Sequence, residues 1–260
     1  MIRSVVLRTA GTNCDQETVH ALKRAGAAVD LVHLGQFLEQ PERLLDYRLV
    51  VFPGGFTYGD DIASGVVFAT EMRRTIVPQV RRLVDDGGLV LGICNGFQIL
   101  VRAGLLPATA GEPGTVQEAS LATNESDRFE ARWVRLEVTA DHCAFLTPGQ
   151  IIECPVAHAE GRFVVSDAAV RERLREQGQI VLRYTDPDGG EPAYPWNPNG
   201  SPDHVAGICD STGRILGLMP HPERNVETWH HPHWTRGVGE QSGAGLTVFT
   251  NAVRFLGKGD

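Results

Sequence analysis

Five apolar residues, Leu89 to Ile93, run directly into Cys94-Asn-Gly-Phe-Gln, and no other stretch narrows the choice of fold so far. A short apolar run bounded by turn residues reads as a strand buried on both faces. From Asn95 the spacing becomes helical, with Phe97, Leu100, Val101 and Gly104 expected on one face. Cys94 therefore sits where a strand becomes a helix. Gly92 and Gly96 flank it, so the chain can turn sharply and leave room beside the sulfur. This is the thiol counterpart of the Gly-x-Ser-x-Gly turn that presents a nucleophile above a parallel sheet. The free N–H groups and positive dipole end of the new helix favour thiolate there. A cysteine between two elements is more often inert packing; the paired glycines and the change of period favour the nucleophile.

The chain before this point alternates strand and helix. Ser4 to Arg8 is strand-like, and Asn13 with Gln16 three residues later signals a helix start, with Gly26 ending the helix after Ala25. Strands follow at Ala28 to Leu34 and Leu49 to Phe52, with a polar helical piece around Pro41 to Leu45 between them. The glycine-rich loop Pro53 to Asp61 comes next, then a helix from about Thr70 to Asp85. That alternation predicts a doubly wound, flavodoxin-like α/β fold whose mostly parallel sheet carries its site at the strands' carboxyl ends.

Beyond Pro107 the texture turns antiparallel. Arg132 to Val138, Ile151 to Val156 and Arg162 to Val165 read as short strands, and Asp167 to Gln177 as a charged surface helix. Val205 to Cys209 and Ile215 to Met219 flank Asp210-Ser-Thr-Gly213 as a hairpin, and Gly243 to Leu256 forms a closing helix. No repeat or linker divides residues 1–260, so the expectation is one domain with an antiparallel strand insertion in its C-terminal half.

Composition excludes several classes. A formal charge of −8, without a Lys/Arg cluster, argues against a nucleic-acid surface. No apolar stretch approaches the roughly 18 residues of a membrane span. The N-terminus runs straight into a strand without a signal peptide. The five cysteines are scattered and odd in number, a reducing-compartment pattern that predicts a cytoplasmic protein.

A nucleophilic cysteine needs a base, and the base needs an orienting group. Met219-Pro-His-Pro-Glu-Arg follows directly on the last hairpin strand. If His221-Pro222-Glu223 stays extended, positions i and i+2 point the same way, so Glu223 can hold the imidazole while His221 faces the sulfur. A backbone N–H of Gly54-Gly55-Phe56, with that of Asn95, is positioned to form an oxyanion hole. The loop lacks the Gly-Lys-Ser/Thr ending of a nucleotide loop. His230, His231 and His233 between Trp229 and Trp234 read as packing of a tryptophan-bearing loop, and no metal site is expected.

Gly92-Ile-Cys-Asn-Gly-Phe-Gln98 with His221-Pro-Glu223 resembles the triad glutamine amidotransferases. Gly11-Thr-Asn-Cys-Asp15, Pro53-Gly-Gly-Phe-Thr-Tyr-Gly-Asp60, Ala157-His-Ala-Glu-Gly-Arg-Phe163 and Asn197-Pro-Asn-Gly-Ser201 narrow the resemblance to the glutaminase components of phosphoribosylformylglycinamidine synthases. Together these motifs reach from residue 11 to residue 224. The resemblance implies that Cys94 attacks the side-chain amide of L-glutamine and forms a thioester, with His221 as acid and base, oriented by Glu223. It further implies oxyanion donors at Gly55 and Asn95 and a glutamine-holding role for Gln98. No cofactor would belong to this chain; ATP and Mg²⁺ would bind a partner synthetase subunit, possibly with a small third subunit in the complex. Ala159 stands where that family usually has glycine, which would disturb the loop if the position needs positive φ. Another triad glutamine amidotransferase or γ-glutamyl hydrolase, and a catalytically silent regulatory or assembly subunit, are the competing readings; Cys94→Ala separates the silent subunit from the enzyme.

Overall fold

One sheet passes through both halves of the sequence. The computed structural model describes residues 1–57, 69–70, 72–139, 141–236 and 243–258. The strands are β1 Arg3–Arg8, β2 Ala28–His33, β3 Leu49–Phe52, β4 Leu89–Ile93, β5 Ala119–Ala122, β6 Glu130–Val138, β7 Ile151–His158, β8 Arg162–Val165, β9 Ile180–Tyr184, β10 Val205–Cys209 and β11 Ile215–Leu218. Nine of them form the main sheet in the order β2-β1-β3-β4-β11-β10-β9-β6-β7, and β5 pairs with β8 in a separate ribbon. From β2 to β11 every neighbouring pair is parallel, and from β11 to β7 every pair is antiparallel. The parallel part has the strand order of flavodoxin-like sheets, which reverses direction between β1 and β3.

The helices are α1 Asp15–Arg24, α2 Leu34–Glu39, α3 Ile76–Asp85, α4 Asn95–Arg102, α5 Ala168–Glu176 and α6 Leu246–Gly257. α4 is buried from Asn95 through Val101. It lies between the sheet and the β5–β8 ribbon, where Phe97 stacks on Phe163 at 6.1 Å between ring centroids. Burying one such side chain contributes about 1.5–3 kcal/mol, so both faces of α4 hold it in place. Gly104 does not share the apolar face of α4. At φ 76 it ends the helix, its N–H reaching the Val101 carbonyl and that of Leu105 the Leu100 carbonyl.

Two further expectations differ in detail. The helix expected from Thr70 is interrupted by a turn at 73–75, and α3 begins at Ile76. Pro78 lacks an N–H and its ring clashes with the carbonyl four residues back, so it fits only in a helix's first turn. The Asn13–Gln16 start is not used: Cys14 caps α1 without a side-chain bond, because its N–H donates to the Gly54 carbonyl and sets the helix entrance from the neighbouring loop. Strands β5 and β9 also join the structure, though neither carries a marked period in sequence; β9 is central, clamped between β10 and β6. Residues 58–61 of the glycine-rich loop lie outside the described residues. No helix among the described residues is long and apolar enough to cross a membrane.

Candidate active site

The loops after β1, β3, β4 and β11 converge at the carboxyl ends of the parallel strands. Loop Gly11–Cys14 and loop Gly54–Phe56 are tied by a bridge between Thr12 and Gly55, with Cys14 N–H on Gly54 O at 3.2 Å and Phe56 N–H on Gly11 O at 2.9 Å. The crossing lies where the sheet order reverses, the position at which open α/β sheets bind their ligands.

Cys94 occupies a backbone conformation that side-chain-bearing residues rarely adopt, φ 52 and ψ −106. Its N–H continues the β4–β11 ladder by one residue, to Leu218 O at 2.8 Å, and α4 starts at the next position. Such strain costs about 1–3 kcal/mol and persists only where the surroundings impose it. Here the glycine at 96 is obligatory: a Cβ on it would lie 1.9 Å from the Phe52 carbonyl oxygen. The Cys94 sulfur is buried and 3.8 Å from Ala157 O, at the end of β7.

His221 is brought in from the other side. β7, at the far edge of the sheet, returns to the site, and Pro155 O accepts the His221 N–H at 2.8 Å. The expected extended tripeptide is instead a 3₁₀ turn, Pro222–Arg224, with Arg224 N–H on His221 O. Proline's fixed φ suits the first position of such a turn, and the closed turn still brings Glu223 Oε1 to 2.6 Å from His221 Nδ1. Both side chains are buried. Burial alone would lower the His221 pKa, but the charge of Glu223, then of Cys94, holds it well above the ordinary histidine value. Among the described residues His221 Nε2 has no hydrogen-bond partner.

Gly54 packs directly on this ring; a Cβ there would meet His221 Cε1 at 2.8 Å and Cys14 Sγ at 3.1 Å. Of the expected oxyanion donors, Phe56 is removed, since its N–H already serves Gly11 O. The N–H groups of Gly55 and Asn95 have no acceptor among the described residues. Gln98 does not face an open pocket either. Its Oε1 accepts from Asn95 Nδ2 at 2.9 Å and its Nε2 donates to Glu160 O at 2.6 Å, while Asn95 Oδ1 accepts from Thr57 Oγ1 at 2.7 Å. Thr57, Asn95 and Gln98 thus brace the loop after β7. Ala159 lies in that loop with ordinary negative φ, so alanine is accommodated. His158 is buried with Nδ1 against Asn124 Oδ1 at 3.1 Å, and burial holds its pKa down to about 3.

Sequence reasoning missed Cys14 and Arg224 as neighbours of the His221–Glu223 pair. Cys14 Sγ lies 4.0 Å from His221 Nδ1 and accepts from Arg224 Nη2 at 3.1 Å, and burial pushes its thiol up. Its place in a Gly/Asn/Asp loop after a parallel strand was the available signal. Two of the histidines between the tryptophans are held by neighbours: His231 bonds Glu153 at 2.9 Å and meets Trp133 edge-on at 4.9 Å, while His230 Nδ1 accepts from the backbone; His233 is exposed.

Residues 1–256 match the CobB/CobQ-like glutamine amidotransferase domain family. The phosphoribosylformylglycinamidine synthase subunit PurQ of Dehalococcoides mccartyi is 42% identical over 98% of this chain and 97% of its own length. The subunit of the same name from Pyrococcus furiosus is 39% identical over 98% of this chain and 99% of its own length. Among solved structures, a chain of PurLQS from Thermotoga maritima superposes with a TM-score of 0.73 at 33% identity, covering 98% of this chain and 100% of that one.

Proposed function

The chain belongs to the CobB/CobQ-like glutamine amidotransferase family, and from that premise we propose that it is the glutaminase subunit of a phosphoribosylformylglycinamidine synthase. It serves de novo purine synthesis, acting on L-glutamine and passing ammonia to a synthetase subunit. ATP and Mg²⁺ belong to that partner, which converts formylglycinamide ribonucleotide to the amidine, and the reading sets the reaction in the cytoplasm. Residues 1–260 act as a single amidotransferase domain in this reading. The observation that carries the chemistry is the positive-φ Cys94 turn set beside the buried His221–Glu223 pair.

In the proposed sequence, the Cys94 thiolate attacks the side-chain amide carbon of glutamine. The oxygen takes up the negative charge and is met by the N–H groups of Gly55 and Asn95, which no acceptor among the described residues uses. Collapse breaks the C–N bond, and His221 gives its Nε2 proton to the departing ammonia, leaving a γ-glutamyl thioester. His221 then takes a proton from water as it attacks, and glutamate and the Cys94 thiol are restored. Glu223 keeps the Nδ1 proton in place throughout and stabilises the imidazolium, as a buried carboxylate does in other triads. Glu223→Gln keeps the hydrogen bond but loses the charge, and glutamine-driven turnover is expected to fall by about 10²–10⁴-fold.

The test is amidine formation with the matching synthetase subunit, ATP, Mg²⁺ and formylglycinamide ribonucleotide. Intact protein is expected to use glutamine or ammonium, and Cys94→Ala only ammonium. Glutamine use by Cys94→Ala would remove the thiol mechanism. Failure of both nitrogen donors with a competent synthetase would remove the assigned partner.

A further inference from the structure

A cleft that glutamine chemistry does not use lies beside the His221–Glu223 pair, with Glu223 and Arg224 in its wall. This cleft, about 490 Å³, is lined by Gln16, Glu17, His20, Glu223, Arg224 and His230. Where it meets the triad, Cys14 Sγ, His221 Nδ1 and a Glu223 carboxylate oxygen lie within 4.8 Å of one another. Glu223 is buried, and among the described residues its Oε2 has no hydrogen-bond partner. A buried carboxylate oxygen without a donor is costly and calls for an explanation. Neither the Cys14 thiol nor that oxygen has a part in the proposed hydrolysis.

We propose that Cys14, His221 and Glu223 form a site for a soft divalent cation, with zinc the best match, reached through this cleft and closing down glutamine hydrolysis when filled. One thiolate, one imidazole and one carboxylate are a zinc donor set and a poor one for magnesium or calcium. Zinc–ligand bonds of about 2.0–2.3 Å put tetrahedral donors roughly 3.4–3.6 Å apart. The Cys14–His221 separation of 4.0 Å needs only a small closure. The Glu223 Oε1–Nδ1 contact of 2.6 Å must open, or Glu223 must turn its unpartnered Oε2 to the metal. Binding forms the Zn–S and Zn–N bonds and releases two protons to solvent, one from the Cys14 thiol and one from Nδ1. His221 then no longer has the Nδ1–H···Glu223 bond that orients it and supports its positive charge.

Arg224 opposes the cation and defines the test. Its Nη2 lies on Cys14 Sγ at 3.1 Å, while its Nε lies on Glu17 at 3.3 Å. The guanidinium can therefore turn aside and keep its carboxylate partner, but its charge repels a metal at the sulfur. Neutralising it must tighten binding.

The inhibition rests on the functional reading above; the binding does not, so binding is measured first, on full-length Cys94→Ala protein. Zinc affinity is read by competition with a chromophoric chelator, and thiolate ligation by the ultraviolet cadmium–thiolate band. A single zinc is expected on Cys94→Ala, at least ~10-fold weaker with added Cys14→Ser, and several-fold tighter with added Arg224→Gln. The cadmium band is expected in Cys94→Ala and lost in the Cys14→Ser double variant. In the complex, zinc is expected to stop glutamine-driven but not ammonium-driven turnover, and excess glutamine is not expected to relieve it. Zinc binding that disappears in Cys94→Ala, or that Cys14→Ser and Arg224→Gln leave unchanged, would overturn the site. Intact binding without inhibition would overturn only its regulatory effect.

Discussion

Two turns of the parallel sheet carry the same residue type in nearly the same setting. Cys14 follows β1 and caps α1, Cys94 follows β4 and caps α4, both are buried, and both lie beside His221. They differ in backbone and in charge. Cys94 has φ 52 and ψ −106, and no acidic residue occupies the first turn of α4. Cys14 has φ −99 and ψ 15, and the first turn of α1 holds Asp15 and Glu17. Burial pushes the Cys14 thiol up, although Arg224 Nη2 lies 3.1 Å from its sulfur. A cysteine at a strand-to-helix junction is therefore not yet a nucleophile. In the proposed reaction the strained turn at Cys94 sets the nucleophile apart.

The comparison breaks if the two thiols are interchangeable. Cys94→Ala is expected to lower glutamine-driven turnover by at least ~10³-fold, as losing a nucleophile does. Cys14→Ala is expected to cost less than ~10-fold, the scale of a lost packing contact beside the base. Steady-state rates with glutamine and with ammonium decide it; equal losses would mean that both sulfurs serve the reaction.

Backbone clearance sharpens the contrast. Gly96→Ala drives a Cβ into the Phe52 carbonyl and is expected to cost ~3 kcal/mol or more in urea unfolding, because overpacking against backbone cannot relax. Gly54→Ala meets the edge of the His221 ring and the Cys14 sulfur instead. Its expected signature is reversed, a larger loss of glutaminase activity than of stability.

The smallest expected effect concerns acid. His158 ends β7 beside the carbonyl that faces Cys94, and its folded pKa of about 3 is below the usual histidine value near 6.5. The unfolded chain then binds the extra proton between those values, so this stability is complete above about pH 6.5 and lost as pH falls toward 3. Between pH 7 and pH 5 the loss is about 2 kcal/mol. Thermal melts of His158→Gln, which cannot take that proton, are expected to show a flatter acid limb; an unchanged limb would place the acid sensitivity elsewhere.

Local pattern made the Cys94 side of this comparison legible in sequence. The apolar run of β4, the glycines around Cys94 and the change to helical spacing are all near neighbours, and so are His221 and Glu223. The other side depends on contacts between distant residues. Cys14 gains its position from the Gly54 carbonyl, and Arg224 reaches it from the far end of the chain. Phe56 loses its free N–H to Gly11, and Gln98 turns its amide to Glu160. No spacing rule encodes such pairings. β9 escaped for a related reason: five residues buried almost throughout carry no alternation to mark them as a strand.

The most direct test of the central claim is to trap the nucleophile. The protein, in complex with its synthetase subunit, is treated with a glutamine-mimicking diazoketone, digested and mapped by mass spectrometry. A single adduct on Cys94 is expected, prevented by excess glutamine, with Cys14 unmodified. An adduct on Cys14, or labelling of Cys94 that glutamine does not prevent, would contradict it.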